Sequence, residues 1–149
     1  MTIALGYDHV GFIYKDGISD YLRELGYTVK LLGAVSTDRT DYPLYAEKVC
    51  RAVISGECQK GILICGTGIG MSIAANKIHG IRAVACSDPY SAVLSRQHNN
   101  TNILTFGSRV VGIELAKLIV KLWLESEYED GRHQKRIDMI TKLENGESL

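Results

Sequence analysis

The chain lacks an excess of either charge: 17 Lys and Arg stand against 17 Asp and Glu. It therefore has neither the basic field that nucleic acid selects nor an acidic tail, and the ligand expected is small. No run approaches the 18 apolar residues that a membrane span requires. The opening M-T-I-A-L-G-Y-D has no basic stretch before an apolar core, so no secretory signal is read there. A soluble cytoplasmic protein without membrane or nucleic-acid partners is expected. Cysteine is present but unpatterned. Cys50, Cys58, Cys65 and Cys86 are 8, 7 and 21 positions apart, which matches neither a C-x-x-C redox pair nor a zinc-ligand set. Free thiols in a reducing compartment are the simplest account. No His-Glu-x-x-His or comparable cluster occurs, so no metal is expected. There is no internal repeat, low-complexity tract or linker, and 149 residues suit one domain that buries its core without staples.

What the chain does have is concentrated in residues 61–76, G-I-L-I-C-G-T-G-I-G-M-S-I-A-A-N. A short apolar run ends in Cys65 and then in Gly66, Gly68 and Gly70 at alternate positions, before a small-residue helical segment. This reads as a strand, a tight turn and a helix start. Glycines permit positive φ and close approach of an anion to the amides, and the helix N-terminus adds partial positive charge. At the mouth of such a turn Cys65 is a candidate base or nucleophile; the alternative is a core cysteine before a packing turn.

In chain order, residues 2–7 read as a first strand and Asp8-His9-Val10-Gly11 turns into a helix ending near Gly26, with Ile13, Ile18, Tyr21, Leu22 and Leu25 as its apolar face. Residues 27–32 form a second strand. The polar stretch 33–41 is read as a loop reaching over the same sheet edge, and Pro43 starts a helix to about Ser55. After the third strand and the glycine turn, a helix runs to about Ile78 and residues 81–86 make a fourth strand. Asp88-Pro89 starts a helix towards His98, and residues 103–106 make a fifth strand. Residues 110–124 form a helix with Leu115, Leu118, Ile119 and Leu122 on one face. The unbroken alternation predicts an α/β, Rossmann-like three-layer αβα sandwich on a five-stranded parallel sheet. A last helix, about 132–145, has an apolar stripe and no further strand to cover, so either its own sheet or a partner subunit is open as its resting place.

The glycine spacing is G-x-G-x-G after the third strand rather than G-x-G-x-x-G after the first, and no Gly-Lys-Ser/Thr follows. Dinucleotide and P-loop readings are therefore weak, and no cofactor is expected. What remains is an oxyanion cradle of the Gly66–Gly70 amides, with the Thr67 and Ser72 hydroxyls as extra donors. Asp8 and His9 fall at the carboxyl end of the first strand, the edge where open α/β sheets bind ligands; a simple cap and turn is the competing account. Arg132 and Arg136, four apart on a helix, point the same way and suit a phosphate, and Arg109 is a third candidate anion contact. A cysteine base, histidines that can move protons, an amide cradle and arginines fit proton abstraction α to a carbonyl, as in an aldose–ketose isomerase working through an enediolate.

G-Y-D-H-V-G-F, R-T-D-Y-P, G-I-L-I-C-G-T-G-I-G-M-S-I-A-A-N-K, S-R-Q-H-N-N-T-N, F-G-S-R-V-V-G and G-R-H-Q-K-R together resemble the ribose-5-phosphate isomerase B family, which includes the galactose-6-phosphate isomerase subunits. The resemblance covers nearly the whole chain. It implies that Cys65 removes the C2 proton with Thr67 beside it, that His98 opens the furanose ring assisted by Asp8, and that Asn99 binds the enediolate with the glycine loop. It further implies phosphate contacts from His9, Arg132 and Arg136, with Arg109 as a further one, and Tyr42 lining the sugar pocket. A homodimer with sites shared between subunits is implied, with pairing into a dimer of dimers left open. Ribose 5-phosphate is the first substrate expected. Allose 6-phosphate or galactose 6-phosphate, or sugar-phosphate binding without turnover, are the alternatives.

Overall fold

The computed structural model describes residues 1–149. Five strands, β1 (Thr2–Tyr7), β2 (Thr28–Leu31), β3 (Lys60–Cys65), β4 (Ala83–Ala85) and β5 (Ile103–Gly107), form one sheet in the order β2-β1-β3-β5-β4. Every pairing is parallel. The helices are α1 (Lys15–Glu24), α2 (Tyr42–Ile54), α3 (Ile69–Ala75), α4 (Pro89–Asn99), α5 (Ile113–Glu125) and α6 (Arg132–Glu144). The expected αβα layering is what the chain adopts.

Alternation along the strands sorts the core into two sides. Ile3, Leu5, Ile62, Ile64, Leu104 and Phe106 pack with Ile18 and Leu22 of α1 and with Ala116, Ile119 and Trp123 of α5. On the opposite face Ala4, Leu63, Cys65 and Ile103 meet Ala46, Val49 and Cys50 of α2 and Met71 and Ala75 of α3. The central strands β1, β3 and β5 are buried along nearly their whole length, as strands covered on both faces must be. Each such Leu or Ile contributes roughly 1.5–3 kcal/mol by leaving water.

Several expected boundaries and faces differ. The first helix is preceded by a separate 3-10 turn, Gly11–Tyr14, which turns Ile13 outward to 66 % exposure; Ile18 and Leu22 alone of its expected apolar face are fully buried. The helix after the glycine turn ends at Ala75 rather than Ile78, and α5 begins at Ile113 because the amides of Val110 and Val111 fold back onto the Gly107 carbonyl. On α5 the sheet takes the stripe Ala116, Ile119, Val120 and Trp123, leaving Leu115 and Leu118 about half exposed. That helix is apolar around most of its circumference, so periodicity alone underdetermines which stripe is covered. On α6 only His133 and Ile137 are buried, and Met139, Ile140 and Leu143 face outward. No helix is long and apolar enough to cross a membrane.

Candidate active site

From β1 the chain steps first to β2 on one side and later to β3 on the other, so the carboxyl ends of β1 and β3 flank the topological switch point, where parallel sheets open a crevice. Tyr7 pairs with Ile64 and Cys65 with Gly107. Just past those ends lies a cleft of about 520 Å³ lined by Asp8, His9, Val10, Thr37, Arg39, Tyr42, Cys65, Gly66, Thr67, Gly70 and Arg109.

The glycine turn forms one wall. Gly68 has φ +80°, and a Cβ there would lie 2.7 Å from the Phe106 backbone, so both conformation and space demand glycine. Its carbonyl accepts from the buried Thr105 hydroxyl at 2.8 Å, and its N–H donates to Cys65 Sγ at 3.1 Å. A donor aimed at sulfur is the polarity that a thiolate wants. On the other side, Ser108 and Arg109 donate their amides to the Cys65 and Gly66 carbonyls. The N–H groups of Gly66, Thr67 and Gly70, all at the cleft, have no acceptor within the chain. They form a set of amides free to receive an anionic oxygen. None of the other three cysteines lines this cleft. Burial pushes the Cys50 thiol up to about 12 and the Cys86 thiol up to about 11, the latter aided by Asp88, and burial also raises Cys58, with Glu57 adding to the rise and Lys30 opposing it.

Asp8 and His9 form the facing wall. Asp8 is buried, and its Oδ1 accepts from the Val10 and Gly11 amides at 2.9 and 2.8 Å, leaving Oδ2 for the cleft. His9 Nδ1 accepts from the Thr40 amide at 3.3 Å, which leaves Nε2 as the nitrogen that carries the proton of the neutral ring. The same threonine's hydroxyl bonds Tyr45 at 3.0 Å, so the 33–41 loop is tied over the sheet edge as expected. The Tyr42 ring lies against Gly70, where a Cβ would come within 2.8 Å of it, and Arg109 crosses Gly66. Arg39 and Thr37 also line this cleft. Neither is among the site residues expected from the sequence, although Arg39 stands in R-T-D-Y-P, a cation in a loop over an anion cradle. Ser72 does not join the wall; its hydroxyl turns towards the Ala83 carbonyl at 3.5 Å.

The remaining candidates lie elsewhere. α4 begins at the carboxyl edge and runs back, so its last turn, with His98 and Asn99, reaches the amino edge, where the Asn102 carbonyl accepts from Gly61 near the start of β3. An 11-residue helix covers about 16 Å, so His98 and Cys65 sit at opposite ends of the sheet. The His98 ring stacks on His133 of α6, with centroids 4.3 Å apart and planes 9° apart. Glu129 Oε2 lies 3.8 Å from His98 Nε2 and 3.7 Å from His133 Nε2, and Arg132 Nε donates to His133 Nε2 at 3.5 Å. His133 titrates below the usual histidine range because of burial first, then the charges of His98, Arg132 and Arg136, with Glu129 opposing. The donor atoms of His98, Glu129 and His133 lie within 4.8 Å of one another. They could approach a metal ion, but stacked rings hold their in-plane lone pairs parallel instead of convergent. Asn99 borders a separate hollow of about 610 Å³ with Arg82, Ile140, Leu143 and Glu144. One chain thus carries two groups: Asp8, His9, Tyr42, Cys65, Thr67, Arg109 and the glycines at one edge, and His98, Asn99, Arg132 and Arg136 at the other.

Residues 3–140 match the Ribose/Galactose Isomerase family. The chain is 63 % identical to ribose-5-phosphate isomerase B of Escherichia coli over 142 residues, 95 % of each protein. It is 42 % identical to D-erythrulose-4-phosphate isomerase of Pectobacterium atrosepticum over 99 % of this chain and 97 % of that one. The structure of Clostridium thermocellum ribose-5-phosphate isomerase B superposes with a TM-score of 0.96 at 49 % identity, covering 98 % of this chain and 99 % of that one.

Proposed function

The chain belongs to the ribose/galactose isomerase family, and from that premise we propose that it interconverts D-ribose 5-phosphate and D-ribulose 5-phosphate. It is an aldose–ketose isomerase whose proton transfer runs through a cis-enediolate. The observation that carries this reading is Cys65 Sγ, held by the Gly68 amide at 3.1 Å in a cleft with three unpartnered amides. A thiolate there can take the C2 proton while those amides receive the oxygen that gains charge.

The other roles follow from charge and position. Thr67 and the amides of Gly66 and Gly70 hold the enediolate, with Asn99 beside them, and Gly68 keeps the thiol in place. Oδ2 of Asp8 faces the ring oxygen, and His98 carries the proton of ring opening. His9, Arg132 and Arg136 bind the phosphate, with Arg109 as a further contact, and Tyr42 closes the sugar pocket. Because His98, Asn99, Arg132 and Arg136 stand at the far edge of their own sheet, this set can meet around one small sugar only if a second copy supplies them. We therefore read the protein as a cytoplasmic homodimer with shared sites. In it residues 1–149 act as one isomerase domain and the α6 helix, with Met139, Ile140 and Leu143 outward, packs on the partner.

A coupled assay on ribose 5-phosphate, run beside allose 6-phosphate and galactose 6-phosphate, tests the substrate. The highest kcat/KM on the pentose is expected, and a six-carbon preference would overturn it. Cys65→Ala should lower kcat by about 10³ or more and abolish C2 proton exchange with solvent, with phosphate still bound. Sugar-phosphate binding without turnover in the wild type would instead mark a sensor.

A further inference from the structure

The stacked pair at the amino edge contains more than the ring-opening histidine: it contains a buried imidazole and a carboxylate to which the reaction above gives no task. Two parallel rings 4.3 Å apart repel each other strongly if both are protonated, so at most one of them carries charge. His133 is the poorer host. It is 5 % exposed, its Nε2 already accepts from Arg132, and Arg136 stands one turn further along α6. A neutral His133 has its proton on Nδ1 and serves as a flat platform. His98 is the more open ring, and its Nε2 faces Glu129 without an intervening cation.

Glu129 is held where it can follow His98. Its own N–H donates to the Gln97 carbonyl at 3.0 Å, one residue before His98, so the carboxylate is pinned to α4 and not only to α6. The next two residues, Asp130 and Gly131, both take positive φ (55° and 58°), making the sharp turn that lifts Glu129 back over α4 before α6 begins. Asp130 is a non-glycine residue in the left-handed region, so that turn has a conformational cost. From the other side Arg82, just before β4, donates to the Asn99 and Asn100 carbonyls and fixes the end of α4. Glu129 and Arg132 approach the same His133 Nε2, and a carboxylate there opposes phosphate binding, so anion recognition does not account for it.

We infer that Glu129 is a positioning residue for His98: its carboxylate and the His133 platform orient the His98 ring and select it as the imidazole of the pair that exchanges a proton during ring opening. The inference rests on the isomerase reading and goes beyond it by assigning Glu129 and His133. In the ring-opening step the proton leaves the anomeric hydroxyl, the bond from C1 to the ring oxygen breaks, and that oxygen is protonated, so an open aldehyde results with no net gain or loss of protons. Glu129 keeps its charge throughout.

The test separates ring opening from enolisation. Ribulose 5-phosphate has no hydroxyl able to close a furanose ring, so exchange of its C1 proton with solvent D2O needs Cys65 and the cradle but not ring opening. Glu129→Gln should lower kcat/KM for ribose 5-phosphate by about tenfold to a hundredfold, leave C1 exchange of ribulose 5-phosphate within about twofold, and Glu129→Asp should recover part of the loss. Equal losses in both assays would make Glu129 merely structural, and no loss in either would remove it from the reaction; both overturn the inference. Zinc ion alone, titrated into the wild type and Glu129→Gln, checks the competing use of the cluster, and tight binding that the variant abolishes would also overturn it. Failure of the wild type to exchange either substrate would instead remove the isomerase reading itself.

Discussion

The two edges of the sheet hold the two halves of the proposed chemistry in different ways. At the carboxyl edge, Cys65 and the glycine turn are clamped by Thr105 of β5 and by Ser108 and Arg109 just past its end, and Asp8 is buried with its oxygen committed to two amides. Each of these groups sits at the end of a central strand. At the amino edge, Arg132 and Arg136 are exposed on a helix that the core holds by little more than His133 and Ile137. The first half is built by the fold. The second is borne on an appendage with an outward apolar stripe, suited to a group that must be delivered to another copy.

That contrast predicts unequal consequences of mutation. The largest loss of stability is expected at Gly68, where alanine meets both a left-handed φ, costing roughly 1–2 kcal/mol, and the Phe106 backbone at 2.7 Å. Gly68→Ala should lower the melting temperature by several degrees, roughly 2–4 °C per kcal/mol lost, and reduce kcat by about a hundredfold, because the turn shifts and the N–H bond to Cys65 is lost. Unchanged stability and rate would show that the carboxyl edge is not clamped. A smaller and different effect belongs to Arg136→Ala on the exposed face of α6. It should leave the melting temperature within about a degree and raise KM for ribose 5-phosphate about tenfold, with kcat nearly kept, since the lost contact is made in ground and transition states alike. A fall in kcat without change in KM would move Arg136 away from the phosphate.

Much of this was legible in the sequence. Alternating strands and helices, the glycine turn and the polar loop over the sheet edge follow from periodicity and from where glycine and proline fall. The buried stripe of α5 did not, because an almost uniformly apolar helix has no preferred side until the sheet chooses Ala116 and Trp123 over Leu115 and Leu118. Arg39 escaped because an exposed cation in a polar loop has no periodic signature. The separation of His98 from Cys65 was implicit: a helix that starts at the carboxyl edge must end at the amino edge, and His98 stands in its last turn. The stacking on His133 and the approach of Glu129 were not, since they depend on how a surface helix folds back after a positive-φ turn.

The central claim is that one working site draws its base from one copy and its phosphate clamp from another. Cys65→Ala and the double variant Arg132→Ala/Arg136→Ala are each impaired at every site of their own dimers. Mixed and allowed to exchange subunits, they should form heterodimers with one intact site. At substrate concentrations near the wild-type KM, about a quarter of the wild-type activity should then return for random pairing in equal amounts. Activity that stays at the average of the two separate variants, with heterodimers shown to be present, would contradict the account and confine each site to a single chain.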